Sequence, residues 1–164
     1  MKIRKGNLED IKEIIKIIKD AIIDMESEGI DQWDSIYPNE DVIGNDVYEG
    51  NLYVYIDENI IKGFIILNEF QDREYEAIKW KNDTDKNLVI HRLCINPKYK
   101  SKGIATTLIE YAERFAKDNK YEAIRLDCFT QNNHACKLYE KNCYEKRGTV
   151  TFRKGEFFCF EKEL

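Results

Sequence analysis

The sequence has 164 residues, 43% of them apolar and 35% charged, which fits one domain of roughly 100–200 residues with a packed core under a polar surface. Lys plus Arg number 26 and Asp plus Glu 31, a net charge of −5. That balance disfavours a nucleic-acid partner, because gripping a polyphosphate backbone needs a basic face that displaces counterions. The longest apolar runs, such as Gly63 to Leu67, are far shorter than the ~18–20 residues of a membrane-spanning helix, so no membrane partner is expected.

The amino terminus, Met1 to Asp10, has no apolar stretch and carries acids early, so it does not read as an export signal. Cysteines stand at 94, 128, 136, 143 and 159, an odd number with no C-x-x-C pair and only two histidines to accompany them. A tetrahedral metal cluster is therefore not expected; small buried thiols in a reducing cytoplasm are.

In chain order, Met1 to Lys5 reads as a short strand. Asn7 with Asp10 resembles a capping box, and Ile11, Ile14, Ile15, Ile18, Ile22 and Met25 then recur at helical spacing until near Gly29. A connection from Asp31 to Pro38 carries Trp33 and Tyr37, and weak helical periodicity follows over Asn39 to Tyr48. Leu52 to Ile56 and Ile60 to Phe70 flank Asp57-Glu58-Asn59 as a hairpin. Residues 71–87 are polar, apart from Tyr75 and Trp80, and predict no element. Leu88 to Ile95 is a strand closed by Asn96-Pro97; Ile104, Leu108, Ala112 and Phe115 mark a helix; Ala123 to Phe129 is a strand; Asn133 to Asn142 is a short helix. Tyr144 to Phe152 and Phe157 to Glu161 close the chain as two strands around Lys154-Gly155. The order β-α-α-β-β-β-α-β-α-β-β predicts an α/β (α+β) domain spanning residues 1–164, with a mixed sheet.

The segment Asn96-Pro97-Lys98-Tyr99-Lys100-Ser101-Lys102-Gly103-Ile104-Ala105 joins a strand to a helix. A helix start presents unpaired N–H groups with partial positive charge, so three lysines there are unfavourable unless an anion binds. Gly103 removes a side chain where a ligand would approach the backbone. The combination suits phosphate at a helix head, with chance clustering of lysines as the alternative. Neither the Walker spacing nor the dinucleotide-binding glycine pattern is present.

Leu93-Cys94-Ile95-Asn96-Pro97 followed by Lys100-x-x-Gly103-x-Ala105 resembles the acyl-CoA signature of the GNAT superfamily of N-acyltransferases. Asn132-x-x-Ala135-x-x-Leu138-Tyr139 resembles the second motif of that family, and the order of elements agrees along essentially the whole chain. Gly29 to Trp33, Tyr37-Pro38 and Ile90-His91-Arg92 resemble a bacterial subgroup. Two departures stand out: Lys100 replaces the usual Arg or Gln, and Lys141-Asn142-Cys143-Tyr144 lacks the glycine of the family's Lys-x-Gly-Phe.

The resemblance implies a mostly antiparallel sheet of six to seven strands flanked by about four helices. It also implies transfer of an acetyl group from acetyl-CoA to an amine, with no metal. Carried over by motif, the diphosphate of coenzyme A meets Lys100, Ser101, Lys102, Gly103, Ile104 and Ala105, with Thr106 close by. The pantetheine arm lies along Leu93, Cys94 and Ile95; Asn132 and Lys141 contact the cofactor. Tyr139 matches the family's proton donor, a role that a phenol can fill.

The base is open. Many relatives place Glu at the position of Val89, while His91 lies one step along the same strand face. His91 is expected as the base, with a hydrogen-bonded sheet histidine as the alternative. Asp127 is a second candidate base, or an anchor for a cationic acceptor. Trp33, Tyr37 and Trp80 fall in segments that cover the acceptor end in this family, where aromatics form an amine pocket or cap the core. Arg92, on the opposite strand face, is expected to pair structurally, and His134 to be exposed. A non-catalytic acyl-CoA-binding module and a peptide-tail modifier are the competing readings of the whole protein. Homodimers are frequent among relatives, and the acidic balance mildly favours a cationic acceptor.

Overall fold

A computed structural model describes all of residues 1–164. Seven strands, β1 (Lys2–Lys5), β2 (Leu52–Asp57), β3 (Ile60–Asn68), β4 (Asn87–Ile95), β5 (Ala123–Phe129), β6 (Glu145–Phe152) and β7 (Gly155–Glu163), form one sheet in the order β1-β2-β3-β4-β5-β7-β6. The helices are α1 (Ile11–Ser27), α2 (Glu40–Tyr48), α3 (Ile104–Asp118) and α4 (Asn133–Lys141). The predicted fold class and element order hold: the fold is α/β, and the sheet is mixed and mostly antiparallel. No helix is long and apolar enough to cross a membrane. The chain divides into two compact units, Met1–Leu67 with Arg92–Leu108, and Asn68–His91 with Ile109–Leu164.

In the first unit, Asn7 caps a single 3-10 turn, Leu8–Asp10, before α1. The Asn7 Oδ1 accepts from the amides of Glu9 and Asp10 at 3.0 and 3.3 Å, and the Asp10 carboxylate accepts from the Asn7 amide at 2.8 Å. Arg4 holds the same carboxylate through two bonds of 2.7 and 2.9 Å, pulling the Asp10 pKa below its ordinary value. The apolar stripe of α1, Ile14, Ile17, Ile18 and Ala21, is buried with Trp33, Ile43, Leu52, Val54, Phe64 and Ile66. Each fully buried isoleucine contributes about 1.5–3 kcal/mol as an upper estimate. A Cβ at Gly63 would meet the Cys94 carbonyl oxygen at 2.9 Å, so glycine lets β3 run close under the end of β4.

In the second unit, the start of β4 pairs parallel with β5 from Asn87↔Ala123 to Ile90↔Leu126. Strand β5 continues to Phe129 along antiparallel β7, and β7 pairs with β6. The stretch 71–87, for which the sequence predicts no element, contains a 3-10 turn, Arg73–Ala77, and begins β4 at Asn87. Its order comes from side chains far away in sequence. Glu161 of β7 accepts the amides of Lys81 and Asn82 at 2.7 and 3.2 Å, and Arg125 of β5 donates to the Asn82 carbonyl at 2.5 Å and to Gln71 Oε1 at 2.7 Å.

Candidate active site

The head of α3, in the first unit, is built from backbone. Asn96 follows β4, and its Oδ1 accepts the Lys98 amide at 3.1 Å at the start of the 3-10 turn Pro97–Tyr99. Ser101 and Gly103 then take left-handed conformations, φ 61° and 77°. Nothing lies within 4 Å of a Cβ placed on Gly103. The Thr107 amide donates to the Gly103 carbonyl at 3.0 Å, so the amides of Ile104, Ala105 and Thr106 precede the first intrahelical bond. First-turn amides are aimed out of a helix end and carry its positive pole, a geometry that accepts phosphate oxygens.

The side chains around this turn divide into two sets. Lys102 Nζ lies 5.3 Å and Lys62 Nζ 4.9 Å from the Tyr99 ring. Lys100 is turned to the end of α1, where its ammonium pairs with Asp24 and lies 3.5 Å from Glu28. Partial burial lowers the Lys100 pKa, but the Asp24 hydrogen bond and the two acids more than reverse this, so the net direction is up. Where a planar fork is usual in the family, this lysine is committed to its own chain. Of Leu93, Cys94 and Ile95, only Cys94 is buried, and burial pushes its thiol up to about 12.

The second unit carries the titratable groups on the two faces of β5. Register puts Arg125, Asp127, Cys159 and Glu161 on one face; Val89, the partner of Arg125, and His91, two residues along β4, share it. Tyr75 donates to Asp127 Oδ2 at 2.8 Å. Trp80 Nε1 donates to the Tyr75 carbonyl at 3.0 Å, and the Trp80 ring lies 4.4 Å from the Arg125 guanidinium. Arg125 is in turn bonded to Glu161 at 3.1 Å. Burial raises the Asp127 pKa to about 6, although the Tyr75 bond lowers it; the Asp72 charge adds to the rise. This carboxyl is therefore held well above the ordinary carboxylate range. Beside it, Asn68 Oδ1 accepts from the Phe70 amide at 2.9 Å and meets His91 Nε2 at 2.7 Å. The atom that takes the Phe70 proton is an acceptor, so His91 donates from Nε2 and its basic nitrogen is Nδ1.

On the opposite face of β5, Cys128 and Cys136 bring α4 against the strand, and the Tyr139 ring packs 6.1 Å from Phe160 and 5.9 Å from Tyr144. Burial raises the Tyr139 phenol well above its ordinary value, and nearby Cys128, Asp127 and Cys136 add to this, so it holds its proton across the physiological range. Asn132 caps α4, accepting the Ala135 amide at 3.1 Å, and Lys141 is exposed at its last turn. Cys143 stands in the left-handed position that follows the helix, φ 65°, with the Tyr144 amide bonded to the Tyr139 carbonyl at 3.0 Å. The turn survives without the family's glycine, at a conformational cost of about 1–2 kcal/mol.

The three aromatics expected at the acceptor end are placed differently from one another. Trp33 is a core residue of the first unit, 9% exposed. The Tyr37 hydroxyl accepts a hydrogen bond from Arg92, whose guanidinium also grips the Asp46 carboxylate at 2.5 and 2.7 Å. Arg92 thus pairs structurally, as its strand face implied. Trp80 does face a cation, but the cation is the chain's own Arg125. The exposed aromatic beside His91 is Phe70, at 6.1 Å between ring centres. Asn68, Phe70 and the Tyr75 hydroxyl, which surround His91 and Asp127, carry no motif in the sequence; the one local signal is Tyr75 and Trp80 standing out in a polar stretch. His134 is exposed.

The model of the Acetyltransferase (GNAT) family matches residues 16–143. An uncharacterized N-acetyltransferase of Bacillus subtilis, YesJ, is 21% identical over 159 residues, covering 95% of this chain and 86% of that protein. The crystal structure of a GNAT-family acetyltransferase from Streptococcus agalactiae is similar with a TM-score of 0.89 at 24% identity, over 99% of this chain and 95% of that one. The PaiA N-acetyltransferase of Thermoplasma acidophilum, solved in complex with coenzyme A, superimposes with a TM-score of 0.77 at 19% identity, over 99% and 98% of the two chains. With a family signature running through most of its length, this chain belongs to the GNAT acetyltransferases and is an acyltransferase.

Proposed function

We propose that the protein transfers an acetyl group from acetyl-CoA to a primary amine of a small molecule or peptide by direct attack of the amine. The observation that carries the donor assignment is the pair of left-handed residues, Ser101 and Gly103, at the head of α3, with open space where a Gly103 side chain would stand. Amides from Ser101 to Thr106 receive the diphosphate, the exposed Lys102 adds charge, and Leu93 to Ile95 offer backbone to the pantetheine arm. Asn132 and Lys141 follow by motif. Acetyl-CoA supplies the activated acetyl group and a thiolate leaving group.

Asp127 is the base that the geometry favours. Its carboxyl has a proton affinity near that needed to deprotonate an incoming ammonium at neutral pH, and Tyr75 fixes its orientation. Asp72 adds negative charge beside it, which suits an acceptor that arrives as a cation. His91, on the same face and oriented by Asn68, lines the approach with Phe70. Tyr139 keeps its proton until the sulfur departs, then gives it up as the carbon–sulfur bond breaks and the carbon–nitrogen bond completes.

Thiol release from acetyl-CoA over a panel of primary amines tests the reading. Amine-dependent release is expected, falling as pH drops through about 6, with the acid limb abolished in Asp127→Asn and retained in His91→Gln. Binding of acetyl-CoA without turnover on any amine would leave a cofactor-binding module, and failure to bind it would remove the proposal.

A further inference from the structure

The acetyl-transfer reading leaves two thiols in the second unit without a role. Cys128 stands on β5 on the face that meets α4, and Cys136 lies in the first full turn of α4, its amide donating to the Asn132 carbonyl at 3.1 Å. Their Sγ atoms are 3.1 Å apart, and both thiols are reduced and buried, 3% and 8% exposed. Two sulfurs at this separation are already in closer contact than packing alone sets, and about 1 Å of approach makes a bond of ~2.05 Å. The other cysteines have no such partner in reach: Cys94 and Cys159 are enclosed elsewhere, and Cys143 is exposed.

The two thiols are not equivalent. The two sulfurs share a hydrogen bond in which either can donate; that pairing, helped by the Lys146 charge, holds Cys136 below the ordinary thiol range, while the same pairing and burial push Cys128 up. Cys136 is also the more exposed of the two. One sulfur is thus prepared as a nucleophile and its neighbour as the resolving thiol.

The geometry points to an oxidisable dithiol: Cys128 and Cys136 close to a disulfide within the folded chain when a hydroperoxide reaches them. The Cys136 thiolate attacks the peroxide, breaking its O–O bond and releasing hydroxide, which takes up a proton as water; sulfur becomes a sulfenic acid. Cys128 then attacks that sulfur, the S–S bond forms, the S–O bond breaks and a second water leaves. Two thiols are oxidised and the peroxide is reduced to two waters. The bond would tie the residue after Asp127 to the helix turn that precedes Tyr139.

The test uses folded full-length protein with Cys143→Ser, treated with hydrogen peroxide and quenched by alkylation. Intact mass is expected to fall by two hydrogens, reversibly with dithiothreitol, and digestion to yield one peptide pair linked through Cys128 and Cys136. Cys128→Ser and Cys136→Ser are each expected to abolish the bridge, and the linked peptide from the parent protein is a readout that does not depend on either variant folding. The proposal fails if either sulfur accumulates oxygen without bridging, if the link involves Cys94 or Cys159, or if both thiols stay reduced while the wild-type Cys143 is oxidised. None of these outcomes depends on acetyl transfer.

Discussion

The head of α3 and the polar face of β5 are built from different materials. The first is main chain: two left-handed residues, a glycine with empty space beside it, and first-turn amides whose direction is set by the helix. The second is side chain: Asp127 held by Tyr75, Tyr75 anchored to Trp80, and Trp80 stacked under an arginine that Glu161 neutralises. A backbone site tolerates exchange of the side chains around it and fails when its dihedrals change. A side-chain site fails when one titrating group is removed, and it drifts when a supporting group is.

The largest effect is expected from Asp127→Asn, which removes the titrating group and keeps an oxygen for Tyr75. Acetyl transfer should fall by about 10²–10⁴-fold. Stability should move the other way. Folded Asp127 titrates at about 6, above its ordinary value of 3.8, so the folded chain binds this proton more tightly than the unfolded chain does. The carboxyl therefore favours the folded state below about pH 4, loses that advantage as pH rises toward 6, and is a constant penalty above it. Asp127→Asn should raise stability by about 1–3 kcal/mol at pH 7.5 and by little at pH 4, read by denaturant unfolding at both. A variant equally destabilised at both would show that the carboxyl is a structural anchor.

Next in size is Gly103→Val. At φ 77° a β-branched residue costs about 1–2 kcal/mol, and its methyls would occupy the open space at the helix head. The KM for acetyl-CoA should rise by about 10–100-fold while kcat at saturation stays within about threefold. A fall in kcat with KM unchanged would place the defect in the second unit and break the division between the two materials.

Tyr75→Phe is expected to act more gently. The ring keeps its packing 5.2 Å from Trp80, but Asp127 loses the hydrogen bond that lowers its pKa. The acid limb of transfer should shift upward by about half a unit or more, with near-normal rate at pH 8 and a loss of about 1 kcal/mol in stability. An unmoved limb would mean that Tyr75 does not orient the titrating group.

The same division of materials governs what could be read from residues alone. The turn Asn96-Pro97 and Gly103 announce the helix head because backbone conformation depends on local residue type. The strand Ala123–Phe129 is legible to the residue because its apolar stretch is bounded by polar turns. The segment 71–87 is not legible, since Gln71, Lys81 and Asn82 are held by Arg125 and Glu161, more than forty positions away. Trp33 reads equally well as a pocket wall or a core residue, and only the neighbours supplied by α1, β2 and β3 make it core. Cys143 shows the opposite case: the sequence loses a glycine, yet the left-handed turn persists because the bond from Tyr144 to Tyr139 stabilises it.

Lys100→Ala gives the smallest expected effect and the finest test of a backbone site. By motif its side chain stands where a cofactor contact is usual, so a site built on side chains would lose most of its affinity. In this fold the ammonium is engaged by Asp24 and lies near Glu28. Removing it frees two partly exposed acids, worth less than about 1 kcal/mol for exposed ion pairs. The amides that follow keep their positions, because Gly103 and the Thr107 bond set them. The KM for acetyl-CoA should therefore stay within about threefold. Lys102→Ala, which removes an exposed charge from the turn itself, should raise KM more, and the difference should shrink as salt is added. If Lys100→Ala instead raises KM tenfold or more and Lys102→Ala does not, the ammonium leaves the acids of α1 when the donor binds, and the helix head depends on that side chain after all.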